Sequence, residues 1–177
     1  MENEMQMKTE HTPTREPELT ETGQIGMVVR DLDATIRRYV DDFGIGPWTI
    51  FEVGPENAPD LKHDGKPLEG KCRAAVAMVG SVMWELTQPL DDKGIFARFL
   101  REKGEGVHHI AVHTRDYQGL VAEYERRGET FPLSGSFTGI DVAYLPTDKS
   151  HGVILEIFSG MPDEAQEVID SGEKQDR

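Results

Sequence analysis

Apolar and polar positions divide the chain into two stretches that repeat the same order of periods. Gln24 to Val29 is a short β-type run ending at Arg30, after which Asp31 opens a helical period with Leu32, Ile36, Tyr39 and Phe43 on one face and Gly44 as its stop. Strand-like runs are predicted at Trp48–Val53, Arg73–Val79 and Ser81–Thr87, divided by Gly80 and by the polar stretch Gly54–Gly70. After Pro89 an amphipathic segment groups Ile95, Phe96, Phe99 and Leu100 ahead of the break Gly104-Glu105-Gly106. A strand is then predicted at His109–Thr114, followed by a helix opened by Asp116 with Tyr117, Leu120, Val121 and Tyr124 together and ended by Gly128. Further strands are predicted around Thr130–Leu133, Asp141–Leu145 and Val153–Phe158. Each half therefore reads β-α-β-β-β.

The halves superpose with a constant offset of 85: Gln24 meets His109, Ile25 meets Ile110, Arg30 meets Arg115, Asp31 meets Asp116 and Tyr39 meets Tyr124. Two half-sheets related in this way can bury their apolar faces as one curved sheet. The expected fold class is α+β, with two pseudo-symmetric βαβββ modules forming a curved mixed sheet. The expected boundaries are a flexible leader at 1–20, a first module at about 21–89, a linker helix at 90–105, a second module at about 106–160 and an acidic tail at 161–177. Within the tail, Ala165, Val168 and Ile169 stand at helical spacing.

Composition trims the functional classes. The net charge of the 177 residues is −14, and the leader and tail carry −3 and −4 of it. That sign repels phosphate backbones and anionic lipid, so neither a nucleic acid nor a membrane surface is an expected partner. The single cysteine, Cys72, excludes an internal disulfide and a Cys-rich zinc site, and is expected to be an inert strand residue. No apolar run approaches ~20 residues and the start MENEMQMKTE is polar, so the expectation is a cytoplasmic protein.

The chemistry is concentrated in two strands that hold one acid each. Glu85 in Val82-Met83-Trp84-Glu85-Leu86 and Glu156 in Val153-Ile154-Leu155-Glu156-Ile157-Phe158 lie opposite the apolar positions of their strands. Each module also opens with a strand bearing a polar residue, Gln24 or His109. Glu85 and Glu156 either line the solvated face of a sheet or, with Gln24 and His109, converge on a divalent cation, since an apolar strand does not shelter a lone carboxylate. Strand alternation turns His108 away from His109, towards packing or the outer side. Trp48, Phe51, Arg73 and Tyr144 are weaker candidates for the pocket wall, and Ser134–Gly139 is either a mobile lid or an ordinary turn.

The runs GQIGMVVRDLDATIRRYVDDFGIGPW, WELTQPL, GEGVHHIAVHTRD and GVILEIFS resemble the vicinal oxygen chelate superfamily of glyoxalases, methylmalonyl-CoA epimerases, extradiol dioxygenases and resistance proteins, over about Glu21 to Ser159. The resemblance implies paired modules closing into a metal-binding cup, with Gln24, Glu85, His109 and Glu156 as ligands of Zn, Mn, Co or Ni, and commonly a homodimer. Val28 and Pro89 stand where glyoxalase I relatives bind glutathione, and Gln24 stands where dioxygenases need histidine. GEGVHHIAV and GVILEIFS are most similar to methylmalonyl-CoA epimerases, whose glutamate base falls in the region of Gly54–Gly70, with Glu56 as a conceivable counterpart. The implied function is a metal-dependent epimerase or isomerase moving a proton next to the carbonyl of a small acid, acyl thioester or hydroxyketone, with Glu85 and Glu156 as bases. The alternatives are a glyoxalase-type lyase or a protein that only binds a small molecule.

Overall fold

A computed structural model describes Pro13 and residues 16–159. The proposed tail helix around Ala165, Val168 and Ile169, and most of the leader, lie outside these residues.

The first module comprises β1 (Leu19–Val28), α1 (Leu32–Phe43), β2 (Thr49–Val53), β5 (Cys72–Val79) and β6 (Val82–Pro89), with the short strands β3 (Lys62–His63) and β4 (Lys66–Pro67) between β2 and β5. A linker helix, α2 (Gly94–Glu102), leads to β7 (Gly106–Thr114), α3 (Tyr117–Arg126), β8 (Leu133–Phe137), β9 (Ile140–Leu145), the single turn α4 (Asp148–His151) and β10 (Ile154–Phe158). β1 begins at Leu19, ahead of the predicted Gln24, because its first residues pair with the far end of β7.

One ten-stranded sheet results, in the order β2-β5-β6-β1-β7-β10-β9-β8-β3-β4. The modules meet at β1 and β7, which run antiparallel, and Ile25 faces Ile110 directly. Those two residues are 85 apart, so the pseudo-dyad passes between them. On either side β6 pairs parallel with β1 and β10 parallel with β7, bringing Glu85 beside Gly26 and Glu156 beside Ala111, which are again 85 apart.

Helix ends are set by equivalent chemistry. Asp31 accepts a hydrogen bond from the Ala34 amide at 2.9 Å, and Asp116 from the Gly119 amide at 2.8 Å. Gly44 takes the left-handed conformation that ends α1. Leu32, Ile36 and Tyr39 of α1 pack on Ala75 and Leu86, while Tyr117, Leu120, Val121 and Tyr124 of α3 pack on Val112, Ala143 and Ile157. These two cores cover the outer face of the sheet. A third cluster of Ile95, Leu133 and Tyr144, with Leu68, Phe96 and Ile154 against it, fills the inner face.

The stretch 54–70 is an ordered strap. It leaves β2 at one margin of the sheet and pairs through β3 with β8 near the other, Lys62 opposite Ser134 and His63 opposite Leu133. In a flat sheet β2 and β3 would stand eight strand spacings apart, about 38 Å. The nine residue steps from Val53 to Lys62 reach at most about 32 Å, and they include a turn in which the Asn57 and Ala58 amides bond to the Gly54 carbonyl. The sheet must therefore curl, and the rings of Phe51 in β2 and Phe137 in β8 stack at 6.4 Å. Ser134–Gly139, expected to be a lid or a turn, is strand β8 with its hairpin turn. Glycine is required at 135 because a Cβ there would lie 2.2 Å from the Asp60 carbonyl oxygen of the strap.

Candidate metal centre

The register carries Gln24, Glu85, His109 and Glu156 to one place on the inner face. His109 is 1% exposed, and its Nε2 lies 3.1 Å from Glu156 Oε2, 3.3 Å from Glu85 Oε2, 3.3 Å from Gln24 Nε2 and 3.3 Å from the Tyr144 hydroxyl. Gln24 Nε2 also donates to Glu85 Oε2 at 2.9 Å. One ring nitrogen, with at most one proton to give, thus faces two carboxylates. Glu156 Oε2 is buried without a hydrogen bond.

The His109 ring reaches this position because Gly26 has no side chain. A Cβ on Gly26 would lie 1.9 Å from Cε1, 2.2 Å from Nε2 and 2.5 Å from Nδ1 of His109. Nothing in the periodicity of Gln24–Val29 marks Gly26; only the close approach of another chain segment does.

His108 departs from the alternation argument. Gly26 faces His109 and Met27 faces Val107, so His108 is the extra residue of a β-bulge and turns to the same side as His109. It is buried against Phe96 and Phe99 of α2 at 5.0 Å each, with its Nδ1 3.1 Å from His109 Nδ1. Burial, and then the neighbouring His109, lowers its pKa to about 3, so it is neutral. A neutral His109 with its proton on Nδ1 donates it to His108 and leaves Nε2 bare, the arrangement of a metal-binding histidine held by an outer partner. Without a cation, burial alone would lower the His109 pKa, but Glu156 and Glu85 outweigh it and raise it to about 9. The same burial and carboxylates hold the Tyr144 hydroxyl well above its ordinary value.

The donor set fits a divalent cation in kind and charge. Two carboxylates balance two positive charges, the imidazole supplies nitrogen, and a half-turn of the Gln24 amide presents its oxygen. Donors about 2.1 Å from an ion and at right angles to one another stand about 3.0 Å apart, close to the spacings around Nε2. Among the described residues no three His, Cys, Asp or Glu side chains stand ready-made around an ion. Here the donors lean on one another and must part slightly to admit one.

Of the other predicted residues, Tyr144 joins this cluster and Phe51 lies at the rim on Phe137. Trp48 does not reach the cup: it packs on Tyr39 in the outer core, its indole donating to the Ile45 carbonyl. It precedes β2, so strand alternation does not govern it. Arg73 also points outward, where its guanidinium binds Asp33 of α1 at 2.8 Å. Glu56, the conceivable base, is exposed on the strap and paired with Lys71. Cys72 is buried, and burial pushes its thiol up to about 12.

A curved mixed sheet of two βαβββ modules with a polar cluster inside the curve defines the class, and the chain belongs to the glyoxalase/bleomycin resistance protein/dioxygenase superfamily, whose family model matches residues 23–144. It is 30% identical over 136 residues to the uncharacterized protein YqjC of Bacillus subtilis (strain 168), covering 72% of this chain and 96% of that one. A variant of Streptomyces coelicolor methylmalonyl-CoA epimerase, in complex with 2-nitronate-propionyl-CoA, is similar at 27% identity and a TM-score of 0.59, covering 79% and 96%. The Mycobacterium tuberculosis methylmalonyl-CoA epimerase shares the fold at 20% identity and a TM-score of 0.60, covering 89% and 97%. No helix among the described residues is long and apolar enough to cross a membrane.

Proposed function

We propose that this chain is a metal-dependent epimerase or isomerase that moves a proton next to the carbonyl of a small acid, acyl thioester or hydroxyketone. The observation that carries the reading is the convergence of Glu85 and Glu156, one from each module, on the Nε2 of His109. The methylmalonyl-CoA epimerases among its structural neighbours support it. Gln24, Glu85, His109 and Glu156 would hold a divalent ion such as Zn, Mn, Co or Ni, and that ion supplies Lewis acidity beside a bound carbonyl.

The residues divide the remaining work. Glu156, whose Oε2 lies 3.1 Å from His109 Nε2 with no hydrogen bond to hold it, takes a proton from carbon. Glu85, approaching from the other module, takes up a proton from solvent and delivers it to the opposite face, which inverts the centre, and Glu156 returns the proton it took to solvent. Tyr144 stays protonated and offers its hydroxyl as a donor to a developing negative oxygen. His108 fixes the ring of His109, and the inner cluster of Ile95, Leu133 and Phe96 limits access of water.

The test is deuterium exchange at the α-carbon of candidate carbonyl acids, with the protein loaded with divalent metal. Wild type should wash solvent deuterium in, and Glu156→Gln and Glu85→Gln should each suppress exchange at least 100-fold, in line with the ~10²–10⁴-fold worth of a general base. Glu56→Gln should exchange like wild type. Equally little metal uptake by wild type and Glu156→Gln, or full exchange in both glutamate variants, would sink the proposal.

A further inference from the structure

The two modules close the gap between helix and sheet differently on the outer face, away from the cup. In the first, the guanidinium of Arg73 in β5 reaches Asp33 of α1 at 2.8 Å and spans that gap. The register identifies the matching positions in the second. Val76 faces Glu85 and Tyr144 faces Glu156, so three residues back along each strand Arg73 corresponds to Asp141. The offset of 85 that relates α1 to α3 takes Leu32 to Tyr117 and Asp33 to Gln118. Where the first module holds an arginine and an aspartate, the second holds an aspartate and a glutamine, and no guanidinium crosses the gap.

At that place an open cleft of about 510 Å³ lies between α3 and the strands. Its floor is Val121, Phe131 and Ala143, which belong to the outer core. Asp141 faces Ser136 and Ala143 faces Ser134 across β8 and β9, and strand alternation puts all four on the helix side of the sheet. The strap supplies the far wall, with Asp60, with Lys62 opposite Ser134, and with Pro67 opposite Lys62. Three lining residues are acids, Asp60, Glu125 and Asp141, and Lys62 is the single base. Among the described residues none of the three carboxylates forms an ion pair. Burial, and then the charges of Asp141 and Glu156, raises the Tyr117 phenol to about 12, so its hydroxyl stays a donor beside Asp141.

We infer that this cleft binds a small organic dication, with a guanidinium against Asp141 and an ammonium against Glu125. The guanidinium brings to the second module the charge that Arg73 brings to the first, and its planar fork matches a carboxylate. Eight residue steps of α3 carry Glu125 about 12 Å beyond Tyr117. With a charge-assisted contact of about 2.8 Å at each end, about 6 Å is left between the two cationic groups, the span of about four carbons. Val121 and Ala143 lie under those carbons. Asp60 and Pro67 flank the strap turn in which the Leu68 amide bonds to the Leu61 carbonyl at 3.0 Å, so an occupied cleft ties the strap to α3. The site stands on the opposite side of the sheet from His109 and owes nothing to the ion.

The probe is 4-aminobutylguanidine, titrated calorimetrically into the full chain at low salt, with butylguanidine as the single cation and butylurea as the uncharged control. Wild type should bind the dication saturably, butylguanidine about tenfold more weakly, and butylurea not at all. Asp141→Asn should weaken both guanidines at least tenfold. Glu125→Gln should bring the dication down to the level of butylguanidine and leave butylguanidine unchanged. Glu156→Gln, inside the cup, should bind the dication like wild type. Asp141→Arg combined with Gln118→Asp rebuilds the pair of the first module, and should melt no lower than wild type while losing the dication. Exchange of the Leu68 amide should slow at least threefold when the dication is bound. Absence of saturable binding, equal binding of butylurea, unchanged affinity in Asp141→Asn, or loss of binding in Glu156→Gln would overturn the site. Should the double variant melt lower, Asp141→Asn decides alone.

Discussion

Replacing Gly26 by alanine adds one methyl group and tests the architecture of the ion site most directly. The new Cβ would stand 1.9 Å from His109 Cε1 and 2.2 Å from Nε2, well over 1 Å inside a normal ~3.5 Å van der Waals contact. Two movements could relieve the overlap. β1 cannot retreat easily, because it is hydrogen-bonded to β6 on one side and β7 on the other. The His109 ring cannot swing freely either, with Tyr144 at 4.8 Å, His108 at 5.3 Å and Phe96 at 6.5 Å between ring centroids. Overpacking of this kind costs about 1–3 kcal/mol, and its place between two paired strands argues for the upper part of that range. At about 2–4 °C per kcal/mol for a chain of this size, the melting temperature should fall by about 5–10 °C. Displacing Nε2 from the carboxylates should also weaken divalent-metal binding at least tenfold, measured by calorimetric titration. The control is His109→Ala, in whose background Gly26→Ala should lose less than about 0.5 kcal/mol, because the partner in the clash is gone. The reasoning is refuted if Gly26→Ala melts and binds metal like wild type, or if its cost is the same with and without the histidine.

Three further outcomes are expected. The metal-free protein should be most stable near pH 6.5: His108 is depressed to about 3, so its contribution is lost as pH falls from 6.5 towards 3, whereas His109 is raised to about 9, so its contribution is lost as pH rises from 6.5 through 9. Denaturant titrations across pH should show that maximum, and saturating divalent metal should flatten the alkaline limb. Cys72, raised from 9.0 to about 12, should resist a disulfide reagent at pH 8 until the protein unfolds, and should withdraw stability only as pH climbs above 9, where the unfolded thiol ionises and the folded one does not. Asp31→Ala and Asp116→Ala should each destabilise by about 1 kcal/mol through loss of a helix cap, and additively, because the two caps belong to different modules.

The polar quartet that converges on the inner face was legible because each member breaks a pattern: Glu85 and Glu156 are single acids in apolar strands, and the 85-residue offset matches Gln24 with His109. That offset reappears as the direct pairing of Ile25 with Ile110, so sequence symmetry and sheet symmetry share one axis. What escaped the sequence depends on a second chain segment. Gly26 matters only because His109 leans over it, and the bulge that turns His108 inward is a property of the β1–β7 ladder. Arg73 turns to the helix layer and not into the cup, and β5 hides this because it reads Ala74-Ala75-Val76-Ala77, apolar on both faces, with no alternation to tell one side from the other. The strap has few apolar residues, and its pairing with β8 joins positions 72 residues apart, Lys62 and Ser134, far beyond any local period.

That pairing also bears on how the chain reaches its native state. Lys62 finds its partner only once Ser134 exists, and the strand at the centre of the sheet, β1, pairs along one whole side with residues 106–114. During synthesis the first module is therefore complete in sequence but not in structure, with an unpaired edge at β1 and a strap that has nothing to close against. Contacts of such long sequence separation slow folding, since chain entropy is lost before the pairing can offset it. In a fold of this design each half depends on the other for the hydrogen bonds along one whole side of its first strand.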